Sequence, residues 1–219
     1  MLSLRCPQFK KPQFMIKLFR ERPIRDAFAV IEKNAERKVD TITESGITGE
    51  IKDEHIKMIT ESLQIHPIDI NFDDRKVDVK MVNIKGSHFP PQYDVQRGKN
   101  YLCAMVSYEY KANGNQELLS IHPTTANFNR NLLVDVIGNA LTINIQTLYG
   151  NSELNEKTRK EVKNEIIAIT DDMKIVIEAL NNEVEEFNKG INQMVIDKVN
   201  ARKEIIEKRE KQKNDLNDF

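Results

Sequence analysis

The chain of 219 residues has few of the residues that usually mark a metal site or a disulfide scaffold. It contains two cysteines, four histidines and eight glycines. Cys6 and Cys103 lie far apart in different contexts, which favours two free thiols in a reducing cytosol. Two cysteines do not make a zinc site, and the histidines lack H-x₃-H or H-E-x-x-H spacing. The sequence therefore predicts no metal and no other cofactor.

The chain also lacks a long apolar run and an excess of charge of either sign. No stretch approaches the roughly 18–20 apolar residues that a membrane span needs. The 33 basic and 34 acidic residues give a net charge of −1, and 39% of the residues are hydrophobic. This balance argues against a dedicated nucleic-acid coat, although it allows a local basic patch. We expect a cytoplasmic protein that does not contact the membrane.

Catalytic motifs are equally scarce, since no glycine-rich phosphate loop and no G-x-S-x-G nucleophile elbow occurs. One cluster imitates a PD-(D/E)xK nuclease, in which two carboxylates hold Mg²⁺ and a lysine helps to position the attacking water. Its residues are Pro67, Asp69, Asp78 and Lys80. The spacing between the carboxylates is short, and Asp78 and Lys80 also fit the polar face of a half-buried strand. We interpret the cluster as an accidental match and predict a protein that is not an enzyme.

The first 22 residues form a basic leader, with six basic residues against Glu21 and a net charge of +5. Pro7 and Pro12 interrupt the apolar run that a signal peptide would need. The prediction is a poorly ordered leader, with Met1 and Met15 both open as the true start. The alternative is a basic arm that contacts nucleic acid or lipid.

Helical periodicity follows the leader. Pro23 suits the first turn of a helix, and apolar residues then recur every three or four positions as far as Ile42. Gly46 and Gly49 are predicted to end this helix. A second short helix is predicted from an Asp53 cap, with apolar positions at Ile56, Ile59 and Leu63 and with Pro67 closing it.

Residues 68–148 change to the alternating pattern of strands. Two hairpins are predicted, the first turning at Asp73-Asp74 and the second at Asn113-Gly114-Asn115. The predicted strands are Ile68–Phe72, Val77–Met81, Tyr101–Tyr110, Glu117–His122, Leu132–Ile137 and Leu141–Leu148. Together with the preceding helices they predict an α+β body over residues 23–150, with five to six mostly antiparallel strands.

The last third, residues 151–219, has a helical pattern from Asn151-Ser152, which suit a cap, to Asn214. The net charge is −5 over residues 153–186 and +3 over residues 197–213. Because opposite charges favour antiparallel packing, we predict a long helical hairpin with its junction at Phe187–Gly190, and a frayed or partner-ordered end beyond Lys208. The coiled-coil-like apolar stripe comprises Val162, Ile166, Ile169, Met173, Val176, Leu180, Val184 and Phe187, then Ile191, Val195, Val199, Arg202 and Ile206.

Two sets of candidate binding residues lie on the second helical half. The predicted protein-partner residues are Val195, Val199, Arg202, Ile206 and Arg209. The predicted nucleic-acid residues are Lys198, Arg202, Lys203, Lys208, Arg209 and Lys211.

Two segments carry a resemblance to a known group of proteins. Residues 117–127 resemble a strand that ends in a Pro-Ser/Thr-Thr turn, here Pro123-Thr124-Thr125. Glu186-Phe187-Asn188, followed by residues 199–209, resembles a Phe-Asn junction that leads into an arginine-rich helix. Both are similar to the N-terminal region of bacterial defence-associated proteins, which in that group precedes a C-terminal effector, often a PD-(D/E)XK domain. The similarity covers residues 100–215, and no catalytic residue corresponds to that effector.

The resemblance implies a non-catalytic sensor or scaffold subunit of an anti-phage defence system. Its helical hairpin would bind a separate effector subunit or a second copy of the chain. The alternative hypothesis is a nucleic-acid-binding module that uses the basic C-terminal helix and the N-terminal arm, and its binding would weaken steeply with salt.

Overall fold

The computed structural model describes residues 13–48, 53–89, 91, 94–147 and 154–217. It confirms the α+β class. The helices are α1 (Ile24–Asp40), α2 (Glu44–Thr48), α3 (Asp53–Leu63) and α4 (Glu156–Asn217). The strands are β1 (Gln13–Lys17), β2 (Arg22–Pro23), β3 (Asp69–Lys85), β4 (Asn100–Asn113), β5 (Ile121–His122), β6 (Leu133–Ile137) and β7 (Ala140–Gln146).

Five strands form one antiparallel sheet in the order β1-β6-β7-β4-β3. β4 lies between β7 and β3, and its side chains at positions 104, 106, 108, 110 and 112 are all buried on one face. The first half of α4 covers that face, because the side chains at positions 106, 108, 110 and 112 and the stripe from Val162 to Val184 belong to one core, which we call the main core. The strands predicted at Tyr101–Tyr110, Leu132–Ile137 and Leu141–Leu148 are confirmed within a few residues at their ends, except that Leu148 lies outside the described residues.

The first predicted hairpin is wrong, because Ile68–Phe72 and Val77–Met81 belong to the single strand β3. Asp73-Asp74 does not reverse the chain but lies in an irregularity between Ile70 and Arg75. The side chain of Asn71 accepts a hydrogen bond from the Asp73 N–H at 3.0 Å, which satisfies a donor that the irregularity removes from the ladder. A bulge therefore takes the place of the turn.

The second predicted hairpin is also wrong. Residues 116–120 form a short 3₁₀ helix and residues 121–122 form β5, which pairs in parallel with β2. The Asn115 side chain accepts a hydrogen bond from the Glu117 N–H at 3.0 Å and so starts the helical turn. Consecutive Leu118 and Leu119 are both buried, which a strand with one exposed face does not allow. Gly114, with φ of +81°, brings the chain against the Pro67 carbonyl, where a Cβ atom would lie 1.8 Å from the oxygen.

The predicted boundary between a leader and the body at residue 22 does not hold for residues 13–22. Gln13–Lys17 pair with β6, and Leu18 and Phe19 are fully buried in the main core. The alternation of Met15, Ile16 and Lys17 suits an edge strand whose one face packs on the core. Cys6 and residues 1–12 lie outside the described residues.

The two helices predicted before the sheet are confirmed. The first corresponds to α1, which ends at Asp40, and the second corresponds to α3, which ends at Leu63. Gly46 does not end the first helix, since α1 stops six residues earlier and Gly46 lies within α2. The Thr41 hydroxyl donates to the Lys38 carbonyl at 2.6 Å and satisfies one of the acceptors at the end of α1. Gly49 lies outside the described residues.

The predicted helical hairpin is wrong, because α4 is one helix of 62 residues. The apolar stripe continues in phase across Gly190, and a glycine inside a helix costs only about 1 kcal/mol. The apolar side chains of the second half of α4 are buried by α1, α2 and α3, and not by the first half of the helix. At the start of α4, the Asn155 side chain accepts from the Thr158 N–H at 2.8 Å, whereas Asn151-Ser152 lie outside the described residues.

Candidate interaction surfaces

The nuclease-like cluster is spread along one strand. Asp69 and Asp78 both belong to β3, nine residues apart, which corresponds to about 30 Å in an extended chain. Asp78 instead forms an exposed ion pair with Lys80 at 3.1 Å. Two carboxylates at that separation do not share a metal ion. Among the described residues, no group of three histidine, cysteine or acidic side chains is placed to hold one.

The middle of α4 is fixed to the body by two asparagine side chains. Asn181 accepts from the Ile68 N–H at 2.9 Å and donates to the Ile68 carbonyl at 2.7 Å. Asn188 makes the same pair of bonds to Ile65, at 3.1 and 2.8 Å. Asn181 and Asn188 are seven residues apart, which is about 10.5 Å along a helix, and Ile65 and Ile68 are three residues apart, which is about 10 Å along an extended chain. The distance between the two amides therefore matches the distance between the two main-chain sites that they bind. We call these contacts the asparagine clamps.

A glutamate next to the clamps holds the turn that follows β5. One carboxylate oxygen of Glu183 accepts from the Thr124 N–H at 2.8 Å, the Thr125 N–H at 3.2 Å and the Thr125 hydroxyl at 3.1 Å. Hydrogen bonds to an ionised acceptor are stronger than neutral ones. The Pro123-Thr124-Thr125 turn therefore contacts α4 one turn before the Phe187-Asn188 junction, so the two segments that carry the family resemblance are brought near each other.

The junction at Phe187 contacts α1. The rings of Phe187 and Phe28 stack at a centroid distance of 4.1 Å and an interplanar angle of 3°. Both side chains contact the main core, and Phe187 also contacts the smaller core around α1, α2 and α3. This stacked pair lies at the point where α4 stops packing on the sheet and begins to pack on α1, α2 and α3.

The predicted protein-partner residues contact other parts of the same chain, although Arg209 stays exposed. Val195, Val199 and Ile206 are buried in the smaller core. Arg202 donates to the Val39 carbonyl at the end of α1 and lies 3.8 Å from an Asp40 carboxylate oxygen. Arg209 pairs with Glu44, which raises the pKa of the guanidinium. Contact of these five residues with a separate protein stays a prediction, while their contacts with α1 and α2 are observed.

The predicted nucleic-acid residues do not form one free basic face. Arg202 and Arg209 point toward α1 and α2, and Lys203 lies 4.0 Å from Glu207. Lys208 and Lys211 are exposed, and each follows an acidic residue four positions earlier, Glu204 and Glu207. Such i,i+4 pairs offset much of the local charge, and Lys198 is half-buried.

Two exposed surfaces in the described part of the chain are candidates for binding a partner. The first is the end of α4 from Glu207 to Asn217, which continues beyond the last buried residue, Ile206. On it, Leu216 is 70% exposed and lies on the same helical face as Ile205, which is 66% exposed. We call this segment the projecting end.

The second surface is the outer edge of β3, which pairs with β4 alone within the described part of the chain. Val77, Val79 and Met81 face the same side as buried residues of β4 but are 53%, 49% and 36% exposed. An exposed strand edge with an apolar row is a template for pairing with another strand. We call this surface the β3 edge.

An open groove of about 460 Å³ lies between the start of β3 and α4. It is lined by the polar side chains of Asp69, Asp73, Lys174 and Glu178, and Lys174 also lies over the Phe72 ring.

The tyrosine and cysteine groups with raised pKa values lie in buried positions and not in this groove. Burial raises the pKa of Tyr110 to about 12 and raises the pKa values of Tyr108 and Cys103. The raised pKa values therefore belong to core packing.

The comparisons with known proteins give no relative. None of the helices in the described part of the chain has the length and apolar character that crossing a bilayer requires. No protein-family model, no curated protein and no solved structure matches the chain.

Proposed function

We propose that the protein is a non-catalytic scaffold subunit of a bacterial defence system, and that it binds its effector through the projecting end of α4. The observation that carries the proposal is the extension of one continuous helix beyond Arg209, which pairs with Glu44 of α2, as far as Asn217. An isolated helix of this length is marginal in water, but here the preceding turns of α4 nucleate it. The body thus presents a formed helix whose exposed face is free for a partner.

The chemistry of the projecting end selects an amphipathic helix as the partner segment. Ile205 and Leu216 lie on one helical face with Gln212 between them, and both apolar side chains are exposed, while Arg209 on the same face pairs with Glu44 of α2. An amphipathic partner helix would place its apolar side chains against Ile205 and Leu216. The mixed charges on either side suit salt bridges that set the orientation of the pair.

The asparagine clamps and the Glu183 contacts support a scaffold role for α4. They join the middle of the helix, at residues 181–188, to main-chain atoms of the body, well before the projecting end begins at Glu207. A helix held in this way transmits a fixed orientation to whatever binds its end. The placement in a defence system rests on the resemblance of residues 117–127 and 186–209 to the N-terminal regions of such proteins.

The proposal is tested in the bacterium that encodes the chain, by deleting its gene and measuring phage plating on complemented strains. We expect deletion to raise the plating efficiency of at least one phage, wild-type protein to restore protection, and Ile205→Glu/Leu216→Glu to fail. Asn214→Glu, on the opposite face of the helix, is the matched control and should protect. Unchanged plating after deletion, or full protection by the double variant, would overturn the proposal.

A photo-crosslinking residue at Gln212 tests the partner directly. It lies between Ile205 and Leu216 on the same face, so we expect it to crosslink to a helix of another chain in infected cells. The same group at Asn214 should not crosslink. Equal crosslinking from both positions would contradict a defined binding face.

A further inference from the structure

The β3 edge is exposed over nine consecutive residues, from Asp73 to Met81. From Arg75 onward the strand is regular and fully paired to β4 on its inner side. Its outer side therefore presents backbone N–H and C=O groups to a second strand, and the Val79 N–H, which donates to the exposed Asp78 carboxylate at 2.9 Å, must exchange that bond on pairing.

The two faces of this edge have different chemistry. Val77, Val79 and Met81 follow one another on the face that α4 covers further inside the sheet. Lys76, Asp78 and Lys80 alternate on the other face. A strand that binds here must match an apolar row on one side and alternating charges on the other.

We infer that the strand which binds the β3 edge is the same edge of a second copy of this chain, paired antiparallel about a two-fold axis at Val79. In this register Val79 faces Val79 of the partner subunit and Val77 faces Met81 of the partner subunit. Asp78 faces Lys80 of the partner subunit, and the symmetry repeats each contact. The result is a continuous ten-stranded sheet, which does not depend on the projecting end of α4.

The charges select this register over its neighbours. In an antiparallel pair of two β3 edges, the outward-pointing N–H and C=O groups of one copy must meet those of the other. This condition holds whenever the two-fold axis passes through a residue, so neighbouring registers differ by one residue in the position of the axis. With the axis at Asp78, the two Asp78 carboxylates face each other and Lys76 faces Lys80, which is repulsive. With the axis at Lys80, two ammonium groups meet.

The register with its axis at Val77 has matched charges but a poorer apolar face. Lys76 then faces Asp78, whereas Val79 faces Arg75 and Met81 faces Asp73. That register also extends into the irregular stretch between Ile70 and Arg75. The axis at Val79 keeps all its contacts within the regular part of β3.

Existing ion pairs do not block the association. Lys76 contacts Glu109 at 3.0 Å and Asp78 contacts Lys80 at 3.1 Å; Lys76, Asp78 and Lys80 are largely solvent-exposed, and Glu109 is half-buried. Pairs of this kind contribute little, so exchange of an intrachain contact for one between subunits costs little. Charges on an edge usually guard against unwanted strands, and here they disfavour the two registers next to the one with its axis at Val79.

The first experiment measures the molar mass of the full chain by sedimentation over the micromolar range. We expect a dimer, twice the chain mass of 25.4 kDa. Val79→Lys places two ammonium groups at the axis and should raise the dissociation constant at least about tenfold, which corresponds to 1.4 kcal/mol. Leu133→Lys removes an equally exposed side chain from β6 and should leave the dimer intact. A monomeric wild-type chain, or an unaffected Val79→Lys dimer, overturns the inference.

The second experiment uses charge complementation. Asp78→Lys gives four facing cations and Lys80→Asp gives four facing anions, so each variant alone should be monomeric. An equimolar mixture restores every opposite-charge contact and should form a heterodimer. If the mixture stays monomeric although the wild type dimerises, the β3 edge is not the interface in this register.

The register itself is tested by disulfide trapping in a Cys6→Ser background. Val79→Cys should crosslink to itself, because side chains at the axis are directly opposite. Val77→Cys alone should not crosslink, whereas a mixture of Val77→Cys and Met81→Cys should. Self-crosslinking of Val77→Cys in place of Val79→Cys would overturn the proposed register.

Discussion

The two halves of α4 have the same apolar spacing but pack against different kinds of structure. The first half, from Val162 to Val184, packs on the sheet in a core that comprises 25 of the described residues. The second half, from Ile191 to Ile206, packs on α1, α2 and α3 in a core of eight of them. A helical stripe thus predicts that a face is buried, but it does not identify what buries it.

The difference in core size implies a difference in local stability. Regions with few buried apolar contacts open at lower free energy than the main core of the same protein. We therefore expect the α1, α2 and α3 layer to open first, with the asparagine clamps at the border between the two regions.

The largest effect is expected from cavities in the two cores. Leu180→Ala in the first half should lower the free energy of global unfolding by about 2–5 kcal/mol, since the side chain is fully buried. Ile191→Ala creates a similar cavity in the second half and should mainly raise hydrogen exchange in α1 and α3. Urea unfolding and amide exchange measure the two effects, and equal exchange changes throughout the sheet for both variants would remove the contrast.

Alkaline pH should lower the stability of the core around the first half of α4, because that core contains Tyr108 and Tyr110 and the core around the second half contains no tyrosine among the described residues. Burial raises the pKa of Tyr110 from its ordinary value of 10 to about 12. Below pH 10 both states keep the proton; above it the unfolded chain loses the proton first, so stability falls by up to about 3 kcal/mol as the pH passes 12. Urea unfolding at about pH 9 and about pH 11 should show this loss in the wild type and a smaller loss in Tyr110→Phe. The same pH dependence in both proteins would show that Tyr110 is not responsible.

Removal of one clamp should uncouple the two halves. Asn181→Ala leaves the half-buried N–H and carbonyl of Ile68 without their partner, which costs about 2 kcal/mol. The neighbouring Asn182 is exposed, and Asn182→Ala should leave stability within about 0.5 kcal/mol of wild type. Thermal unfolding should broaden or divide into two steps only for the first variant, and a sharp single transition at lower temperature would indicate that the halves stay coupled.

The smallest effect distinguishes a continuous helix from a hairpin. Gly190 is helical, and a Cβ atom added there would meet no atom within 4 Å. Gly190→Ala should therefore stabilise the protein by about 0.5–1 kcal/mol through lower entropy of the unfolded chain. A glycine in a turn with positive φ would give the opposite sign, so calorimetry of this one variant decides between the two arrangements.

The sequence predicts those elements whose pattern is local. The stripe on α4, the alternation of β4 and the apolar spacing of α3 each depend on neighbouring residues, and the structure confirms them. The predicted hairpin was wrong because charge segregation and one glycine do not specify a turn. A surface ion pair contributes little, whereas each helix interruption loses several backbone hydrogen bonds.

The binding surfaces depend on tertiary contacts that no local pattern contains. Val195, Val199 and Ile206 could be predicted as an apolar face, but their burial by α1, α2 and α3 could not, since those segments are more than 100 residues away. The β3 edge could not be predicted either, because its position follows from the strand order. One signal was present: Asn181 and Asn188 are seven residues apart beside the buried stripe, where an amide needs partners.

The asparagine clamps have a consequence for how this chain can diverge. Each amide contacts main-chain atoms, so the side chains at positions 65 and 68 can change as long as they fill the core. The number of residues between them cannot change, because one insertion would lengthen that path by about 3.3 Å while the helical path stays fixed. Homologous chains should therefore vary in sequence here but keep the length of this segment and the seven-residue interval between the asparagines.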